Sequence, residues 1–216
     1  EYFFGDPKDY RILALLPSYL ERKGSSLVYM CQHLINKSDD ESSGFYLNNY
    51  EKLASILSKQ TSKKTILFGV SYALLDMAEQ FPQALENTIV METGGMKGKR
   101  PEMTKNELHS ILKQAFHLKH IYSEYGMTEL LSQAYSFSDG IFQTPGWMKV
   151  TIRDLQDPMS MLAHHQVGGI NIIDLANINS CCFIATQDLG KTIDDRRFEL
   201  CGRLEISDIR GCNLLV

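Results

Sequence analysis

The first half of the chain alternates short apolar runs with amphipathic segments, and this alternation constrains the fold more than any other feature. Residues 11–16, 65–70 and 87–91 have the length and composition of buried strands. Apolar residues between these runs recur every three or four positions, and Thr104 with Glu107 forms a capping-box pattern before the last amphipathic segment. The alternation predicts an α/β fold with a mostly parallel sheet flanked by helices. Ligands of such sheets bind beyond the carboxyl ends of the strands.

Three earlier helices have their own start signals. One helix is predicted after Gly24, and Ser71 is predicted to open another directly after a strand. Between them, Asn48 with Glu51 has the spacing of a capping box for a helix carrying Leu53.

The pattern changes after about Ser138. Four runs there resemble strands with no convincing helices between them, at 148–154, 169–174, 181–186 and 197–201. We therefore expect a β-rich subdomain after the α/β part. The predicted division is 1–137 for the α/β part, 138–200 for the β-rich subdomain and 201–216 for a C-terminal tail.

Composition excludes several classes of partner. The chain has 216 residues, a net charge of −4 and a sequence pI near 5.9, so it offers no basic surface for nucleic acid. No apolar run approaches the roughly 20 residues that span a bilayer. The start of the chain also lacks the pattern of a signal peptide. We expect a cytoplasmic protein without a membrane span.

The cysteines and histidines do not form a recognisable metal or disulfide pattern. The five cysteines are an odd number and lack Cys-x-x-Cys spacing, which predicts free thiols. Four of them are predicted to be core residues: Cys31, Cys181, Cys182 and Cys201. The histidine pairs at 117/120 and 164/165 are expected to be structural or on the surface, and Trp147 is expected to pack.

The pentapeptide Tyr125–Glu129 follows a predicted strand and combines the chemistry of a nucleotide site. The ring of Tyr125 can lie against a purine, and Gly126 lets backbone approach a ligand closely. The Thr128 hydroxyl can hold a phosphate oxygen, and the carboxylate of Glu129 can take magnesium.

Further blocks follow or precede this one in a fixed order. They are Thr93–Arg100 before it, and then Thr186–Gly190, Gly202–Glu205 and Ser207–Cys212 after it. In this order the blocks resemble the adenylate-forming enzymes, whose motifs read Tyr-Gly-x-Thr-Glu, Thr-Gly-Asp-Leu-Gly and Gly-Arg. Within that superfamily the first and last blocks are most similar to the acyl-protein synthetase (LuxE-type) family. The resemblance implies the fold of the large domain of adenylate-forming enzymes, with ATP and Mg²⁺ as cofactors.

The resemblance also implies roles for individual residues. Asp188 would hold the ribose hydroxyls and Arg203 would face ribose or phosphate, although Gln187 replaces the usual glycine of this motif. The residues implied to touch adenine are Thr93, Gly94 and Gly95. The simpler alternatives remain open at this point: a tight glycine turn, a turn acid at Asp188 and a surface ion pair at Arg203.

Cys212 is the candidate acyl acceptor. In the resembled family the cysteine near the end of the chain receives the acyl group, and here Arg210 and Gly211 precede it, giving nearby positive charge and a flexible neighbour. The implied reaction activates a carboxylic acid, in this family a fatty acid, as acyl-AMP and transfers it to the thiol. An acyl-reductase or another acyl-accepting protein is the implied partner. The simpler alternative is a cysteine that anchors a terminal strand.

Two features leave other functions open. Nothing from Glu1 to Leu16 resembles the phosphate loop of the superfamily, so we expect the chain to correspond to a C-terminal portion that adenylates poorly alone. Thr93–Lys99 lacks P-loop spacing, and the basic residues Lys97, Lys99 and Arg100 could meet phosphate or be solvated. The alternatives are an acyl- or aryl-CoA ligase of the phenylacetate type, which needs no Cys212, and a non-catalytic acyl- or nucleotide-binding subunit.

Overall fold

A computed structural model describes residues 1–17, 24–59, 61–96 and 98–204. These residues form two compact units. The N-terminal unit comprises Glu1–Thr128 and Tyr135–Gly140, and the C-terminal unit comprises Glu129–Ala134 and, among the described residues, 141–204.

The N-terminal unit is built from parallel strands connected by helices. A short 3₁₀ helix precedes the first strand, and the sheet order is β2-β1-β3-β4-β5 with every pair parallel and β6 beside β5. Its elements are β1 (Tyr10–Leu15), α1 (Ser26–Lys37), β2 (Gly44–Phe45), α2 (Tyr50–Leu57), β3 (Lys64–Val70), α3 (Ser71–Gln80), β4 (Thr88–Thr93), α4 (Lys105–Phe116), β5 (Tyr122–Tyr125) and β6 (Ala134–Ser136).

The helix starts agree with the predicted start signals at α1 and α4, whereas α3 starts at Ser71 as predicted but has no side-chain cap. Thr104 and Glu107 form both hydrogen bonds of a capping box at α4. Helix α2, however, is capped by Asn49, whose side chain accepts from the Lys52 amide, so the prediction of Asn48 as the cap is wrong by one residue. Two asparagines in succession offer the same capping chemistry. The helix itself carries its apolar face as predicted, with Leu53 fully buried.

The core of the N-terminal unit lies between the sheet and its helices. Leu13, Leu67 and Val90 on the three central strands are fully buried, as are Leu74 and Leu75 on α3. Consecutive strand residues are buried because helices cover a parallel sheet on both faces. This explains why these strands are continuous apolar runs in the sequence.

The C-terminal unit is an antiparallel sheet in the order β7-β11-β10-β9-β8. Strand β10 continues past the predicted end at residue 186 and through Asp188, for which a turn acid was one alternative, because β11 pairs with it along this length. The first strand, β7, has three residues and was not predicted, since a run this short carries no clear alternation. The elements are β7 (Ile141–Gln143), β8 (Met148–Arg153), β9 (Gly168–Asp174), β10 (Phe183–Thr192) and β11 (Arg197–Arg203).

These elements confirm the predicted fold class of a mostly parallel, helix-flanked sheet followed by a β-rich part. The predicted division at 137/138 remains a prediction. In the described part of the chain, no helix is both long enough and apolar enough to traverse a bilayer.

Candidate active site

Two of the predicted motif segments begin at the ends of neighbouring parallel strands. Thr93 is the last residue of β4 and Tyr125 is the last residue of β5, so both lie within the strands rather than just beyond them. Because β4 and β5 pair in parallel, their carboxyl ends are adjacent. The N-terminal unit therefore brings together the Thr93–Gly95 loop and the segment Tyr125–Thr128.

The backbone of the Thr93–Gly95 loop depends on one of its two glycines. Gly94 has a φ of +67°, in the left-handed region that favours glycine. A Cβ added at Gly95 would meet no atom within 4 Å. The loop therefore has a conformational requirement at Gly94 and an open side at Gly95, where a ligand could approach the backbone.

The residues of the second segment differ in accessibility. Tyr125 is buried, with 8% of its surface exposed, so a base could contact only a small part of it in this conformation. Gly126 and Thr128 are exposed. The Thr128 hydroxyl lies 3.3 Å from the Ser26 hydroxyl at the start of α1, where a surface depression is lined by residues of that helix. Thr128 is therefore accessible to a polar ligand.

A pair of buried carboxyl groups supports these strand ends. Glu92 and Glu124 are each less than 10% exposed. The Nζ atom of Lys105 lies 2.5 Å from Glu92 Oε1, and His109 Nε2 lies 3.4 Å from the same oxygen. Thr93 donates its hydroxyl hydrogen to Glu124 Oε2 over 2.5 Å. The two carboxyl groups thus have different partners at nearly the same depth.

This difference in partners moves their pKa values in opposite directions. Burial alone would raise the pKa of Glu92, but the His109 hydrogen bond and the Lys105 charge lower it to about 2. Burial raises the pKa of Glu124 to about 7, and the negative charge of Glu92 contributes to the increase, against the hydrogen bond from Thr93. Glu92 is therefore ionised at neutral pH, whereas Glu124 changes protonation there.

In the C-terminal unit, Asp174 and Asn177 hold the backbone that carries Glu129. The Asn177 side chain donates to the Glu129 carbonyl over 2.5 Å. The Leu131 amide donates to both Asp174 Oδ2 and Asn177 Oδ1, at 3.1 Å each, and the Ser132 amide and hydroxyl donate to Asp174. Asp174 is fully buried and Glu129 is exposed. A fixed backbone thus presents an accessible carboxylate.

Asp188 and Arg203 are brought together in the same unit. They are directly opposite each other in the antiparallel β10–β11 pair, so their side chains share one face of the sheet. The Asp188 amide donates to the Thr186 hydroxyl, and Arg203 Nη2 lies 3.4 Å from Gln187 Oε1. The glutamine that departs from the family motif therefore contacts the motif arginine.

Several other candidates have different surroundings from those expected. Arg100 forms ion pairs with Asp76 and Glu79 on α3, so its guanidinium group serves the fold rather than a free phosphate site. Trp147 is 43% exposed and donates its indole N–H to Ser132. Trp147 is therefore only partly packed against the protein, and its indole N–H forms a hydrogen bond that was not predicted from the sequence.

The prediction that four cysteines are core residues is correct only in part. Cys31 is buried, but Cys181 and Cys201 are exposed and Cys182 is intermediate. Cys181 and Cys182 lie just before β10, and Cys201 lies near the end of β11. Cys212, with Arg210 and Lys97, lies outside the described residues.

The donor chemistry at Glu129 fits a weakly held magnesium ion. The exposed Glu129 carboxylate supplies oxygen donors, and Mg²⁺ in phosphate-transfer sites is commonly held by one or two carboxylates together with substrate phosphates. Among the described residues, no cluster of three or more His, Cys, Asp or Glu side chains forms a preformed metal cage.

Sequence reasoning missed the supporting residues: Glu92, Lys105, His109, Glu124, Asp174 and Asn177. A signal was present for Glu92, since an acidic residue at the end of an otherwise apolar strand must find a buried partner. No comparable signal existed for Asp174 and Asn177, whose partners are more than 40 positions away.

Comparison with known proteins finds similar structures but no similar sequences. No protein-family model matches the sequence, and no curated protein matches it significantly. ATP-bound MatB from Rhodopseudomonas palustris is similar over 94% of this chain and 41% of its own, with a TM-score of 0.67 and 13% identity. A long-chain-fatty-acid-CoA ligase (FadD1) from Archaeoglobus fulgidus is similar over 97% of this chain and 46% of its own, with a TM-score of 0.64 and 13% identity.

A benzoate CoA ligase from Burkholderia xenovorans LB400 is similar over 93% of this chain and 42% of its own, with a TM-score of 0.56 and 12% identity. The chain therefore shares the fold of the matching parts of these three ligases. It spans less than half of the length of each of these proteins.

Proposed function

We propose that this chain provides the nucleotide-binding part of an ATP-dependent ligase that activates a carboxylic acid as acyl-AMP. The observation that carries the proposal is the position of two predicted motif segments at the carboxyl ends of adjacent parallel strands, β4 and β5. Ligands bind at this edge in open α/β sheets. The fold shared with ATP-bound MatB supports the same proposal.

In the N-terminal unit, the Thr93–Gly95 loop is proposed to contact adenine through its backbone. The Thr93 hydroxyl already donates its hydrogen to Glu124, so the open backbone at Gly95 is the better ligand contact. Tyr125 is proposed to border the base and Gly126 to admit the nucleotide closely. The exposed Thr128 hydroxyl is proposed to hold an α-phosphate oxygen.

In the C-terminal unit, Asp188 is proposed to accept hydrogen bonds from the ribose hydroxyls, and Arg203 to face ribose or phosphate. Their position on opposite strands of one hairpin supports a shared role. Glu129 is proposed to hold Mg²⁺, which would offset negative charge on the phosphates. The hydrogen bond from Asn177 to the Glu129 carbonyl would keep that carboxylate in position.

The chemistry addresses the low reactivity of a carboxylate. A carboxylate oxygen of the acid attacks the α-phosphorus of ATP, the bond to the bridging oxygen breaks, and pyrophosphate leaves. Thr128 would stabilise the charge that develops on the α-phosphate in this step. The product is a mixed anhydride whose acyl carbon is open to attack by a thiol.

We further propose that the thiol is that of Cys212, as in acyl-protein synthetases. The thiolate attacks the acyl carbon, AMP leaves, and a protein thioester remains. An ordinary thiol has a pKa of about 8.5, and a positive charge such as that of Arg210 would increase the thiolate fraction at neutral pH. The acyl group, in this proposal a fatty acyl group, would then pass to an acceptor protein such as an acyl-reductase.

The second candidate is an acyl- or aryl-CoA ligase. It is favoured by the fold shared with the long-chain-fatty-acid-CoA ligase and the benzoate CoA ligase. In that reaction the thiol of coenzyme A, rather than Cys212, attacks the acyl-adenylate.

Intact-mass spectrometry separates the two candidates. The protein is incubated with ATP, Mg²⁺ and a mixture of carboxylic acids, and its mass is measured before and after hydroxylamine. An acyl-protein synthetase gains the mass of one acyl group, loses it to hydroxylamine, and gains nothing in the Cys212→Ala variant. Cys201→Ala is the matched control because Cys201 is an exposed thiol in the same unit.

A different result would favour the CoA ligase. If acyl-CoA forms at the same rate in the wild type and in Cys212→Ala when coenzyme A is added, the ligase is correct and the protein thioester is not. If ATP binds but neither product forms with any acid, this chain binds nucleotide without catalysing acid activation on its own.

A further inference from the structure

We propose that Glu124 is a positioning residue, which holds the Thr93–Gly95 loop in its nucleotide-binding conformation by accepting the hydroxyl hydrogen of Thr93. This inference deepens the proposed function and rests on it. Glu124 itself would not touch the nucleotide, because its carboxyl group is buried beneath the loop.

The hydrogen bond occurs where the backbone pairing of the two strands stops. In the β4–β5 register, Met91 is opposite Tyr122 and Glu92 is opposite Ser123. The next pair in that register would be Thr93 and Glu124, and these residues are joined through their side chains over 2.5 Å. The side-chain contact therefore extends the connection between the strands by one step, to the residue where the loop begins.

The other support of the loop is weaker. The Ser71 hydroxyl lies 3.4 Å from the Thr93 carbonyl, 3.4 Å from the Gly94 carbonyl and 3.2 Å from Glu92 Oε2. One hydroxyl has a single hydrogen to donate, so it can serve only one of these acceptors at a time. The contact between Thr93 and Glu124 is much shorter, and we expect it to be the principal restraint on the start of the loop.

The surroundings of Glu124 make this restraint sensitive to protonation. The titratable groups that act on it or respond to it are Glu92 on β4, Lys105 on α4, Cys31 on α1 and Tyr135 on β6. Burial raises the pKa of Glu124 to about 7. An ionised acceptor forms a shorter and stronger hydrogen bond than a neutral one, so the restraint tightens as Glu124 loses its proton.

The first test measures AMP affinity by calorimetry between pH 6 and pH 8. The variants are Glu124→Gln, which keeps an acceptor oxygen without a titrating group, and Glu124→Leu, which removes the acceptor. We expect Glu124→Leu to bind AMP about 10-fold more weakly than wild type at pH 8, the loss of one strong hydrogen bond. Glu124→Gln should bind within about 3-fold of wild type and lose the dependence of affinity on pH in this range.

A double variant tests whether the effect passes through Thr93. If Glu124 acts through the Thr93 hydroxyl, Thr93→Val combined with Glu124→Leu binds no more weakly than Glu124→Leu alone. Additive losses would overturn the proposal, as would wild-type affinity in Glu124→Leu. Glu86→Leu serves as the control, because Glu86 is an exposed glutamate on the turn before β4.

The second test needs no nucleotide, so it separates this inference from the proposed function. Hydrogen–deuterium exchange is measured at the amides of Gly94, Gly95 and Met96. We expect exchange about 10-fold faster in Glu124→Leu than in wild type and in Glu86→Leu, with no change at the amides of β1. Faster exchange in a protein that does not bind AMP would support the positioning role and contradict the proposed function. Unchanged exchange would overturn the positioning role even if AMP binds.

Discussion

The two units support their motif residues with buried acids, but those acids have different numbers of partners. In the C-terminal unit, Asp174 accepts from the Leu131 amide, both the amide and the hydroxyl of Ser132, and the Ala176 amide. In the N-terminal unit, Glu124 accepts from Thr93 and lies near the like charge of Glu92. An acid with several donors holds its segment in one geometry. An acid with fewer donors responds to protonation, and the loop it holds should respond with it.

Loss of Asp174 should have the largest effect on stability. Asp174→Ala removes the acceptor of the buried amide and hydroxyl of Ser132, so we expect the free energy of unfolding to fall by about 4 kcal/mol. Urea unfolding at pH 7 measures this change. Asp157→Ala is the matched control, because Asp157 also accepts a hydrogen bond from a neighbouring serine hydroxyl but is exposed. If the free energy of unfolding falls equally in the two variants, the buried hydrogen bonds of Asp174 stabilise the protein no more than the exposed ones of Asp157.

Glu92 should stabilise the N-terminal unit at neutral pH and not at low pH. Its pKa of about 2 lies below the ordinary value of 4.5, so its contribution is present above about pH 4.5 and is lost as the pH falls towards 2. Glu92→Gln leaves Lys105 without its buried partner and should cost about 3 kcal/mol at pH 7. Unfolding measured from pH 2 to pH 7 should also show a smaller acid-dependent loss in the variant. If the variant loses as much stability as the wild type between pH 7 and pH 2, the lowered pKa of Glu92 is wrong.

Glu124 should have the opposite pH dependence. Its native pKa of about 7 lies above the ordinary value of 4.5, so the native state keeps a proton that the unfolded state has lost, and stability falls as the pH rises between these values. Glu124→Gln should therefore be more stable than wild type by about 3 kcal/mol at pH 8 and nearly equal to it at pH 4. Thermal unfolding across this range is the measurement. A difference that does not depend on pH would contradict the raised pKa.

The smallest effect concerns the loop that Glu124 is proposed to hold. Gly94→Ala forces a Cβ into the left-handed region and should cost about 1 kcal/mol. Gly95→Ala is the matched control, because an added Cβ there meets open space. Urea unfolding of both variants compares them directly. Equal stability of the two would indicate that the loop adapts freely and is not held in one conformation.

Local sequence signals were enough to predict the regular elements. The apolar runs of β1 and β3 and the capping box at Thr104 depend on neighbouring residues, and all three were predicted correctly. The strands β6 and β7 have three residues each and were missed, because runs this short show no alternation of their own and form only through pairing with neighbouring strands. Local propensity carries no information about such pairing.

The candidate site was predictable only in its motif residues. The pairing of Asp188 with Arg203 follows from the hairpin register, which their separate motifs did not indicate. The partners of Glu92 and Glu124 come from α4, β4 and β5, so their opposite pKa shifts depend on tertiary packing. The amino-acid sequence alone does not indicate which side chains these glutamates contact.

Titration of ATP with Mg²⁺ into the protein, followed by calorimetry, tests the proposed function most directly. We predict saturable binding by the wild type and by the control Asp157→Ala, and binding at least about 10-fold weaker in Asp188→Ala, which removes the proposed acceptor for the ribose hydroxyls. Absence of ATP binding by the wild type, or equal affinity in Asp188→Ala, would contradict the account.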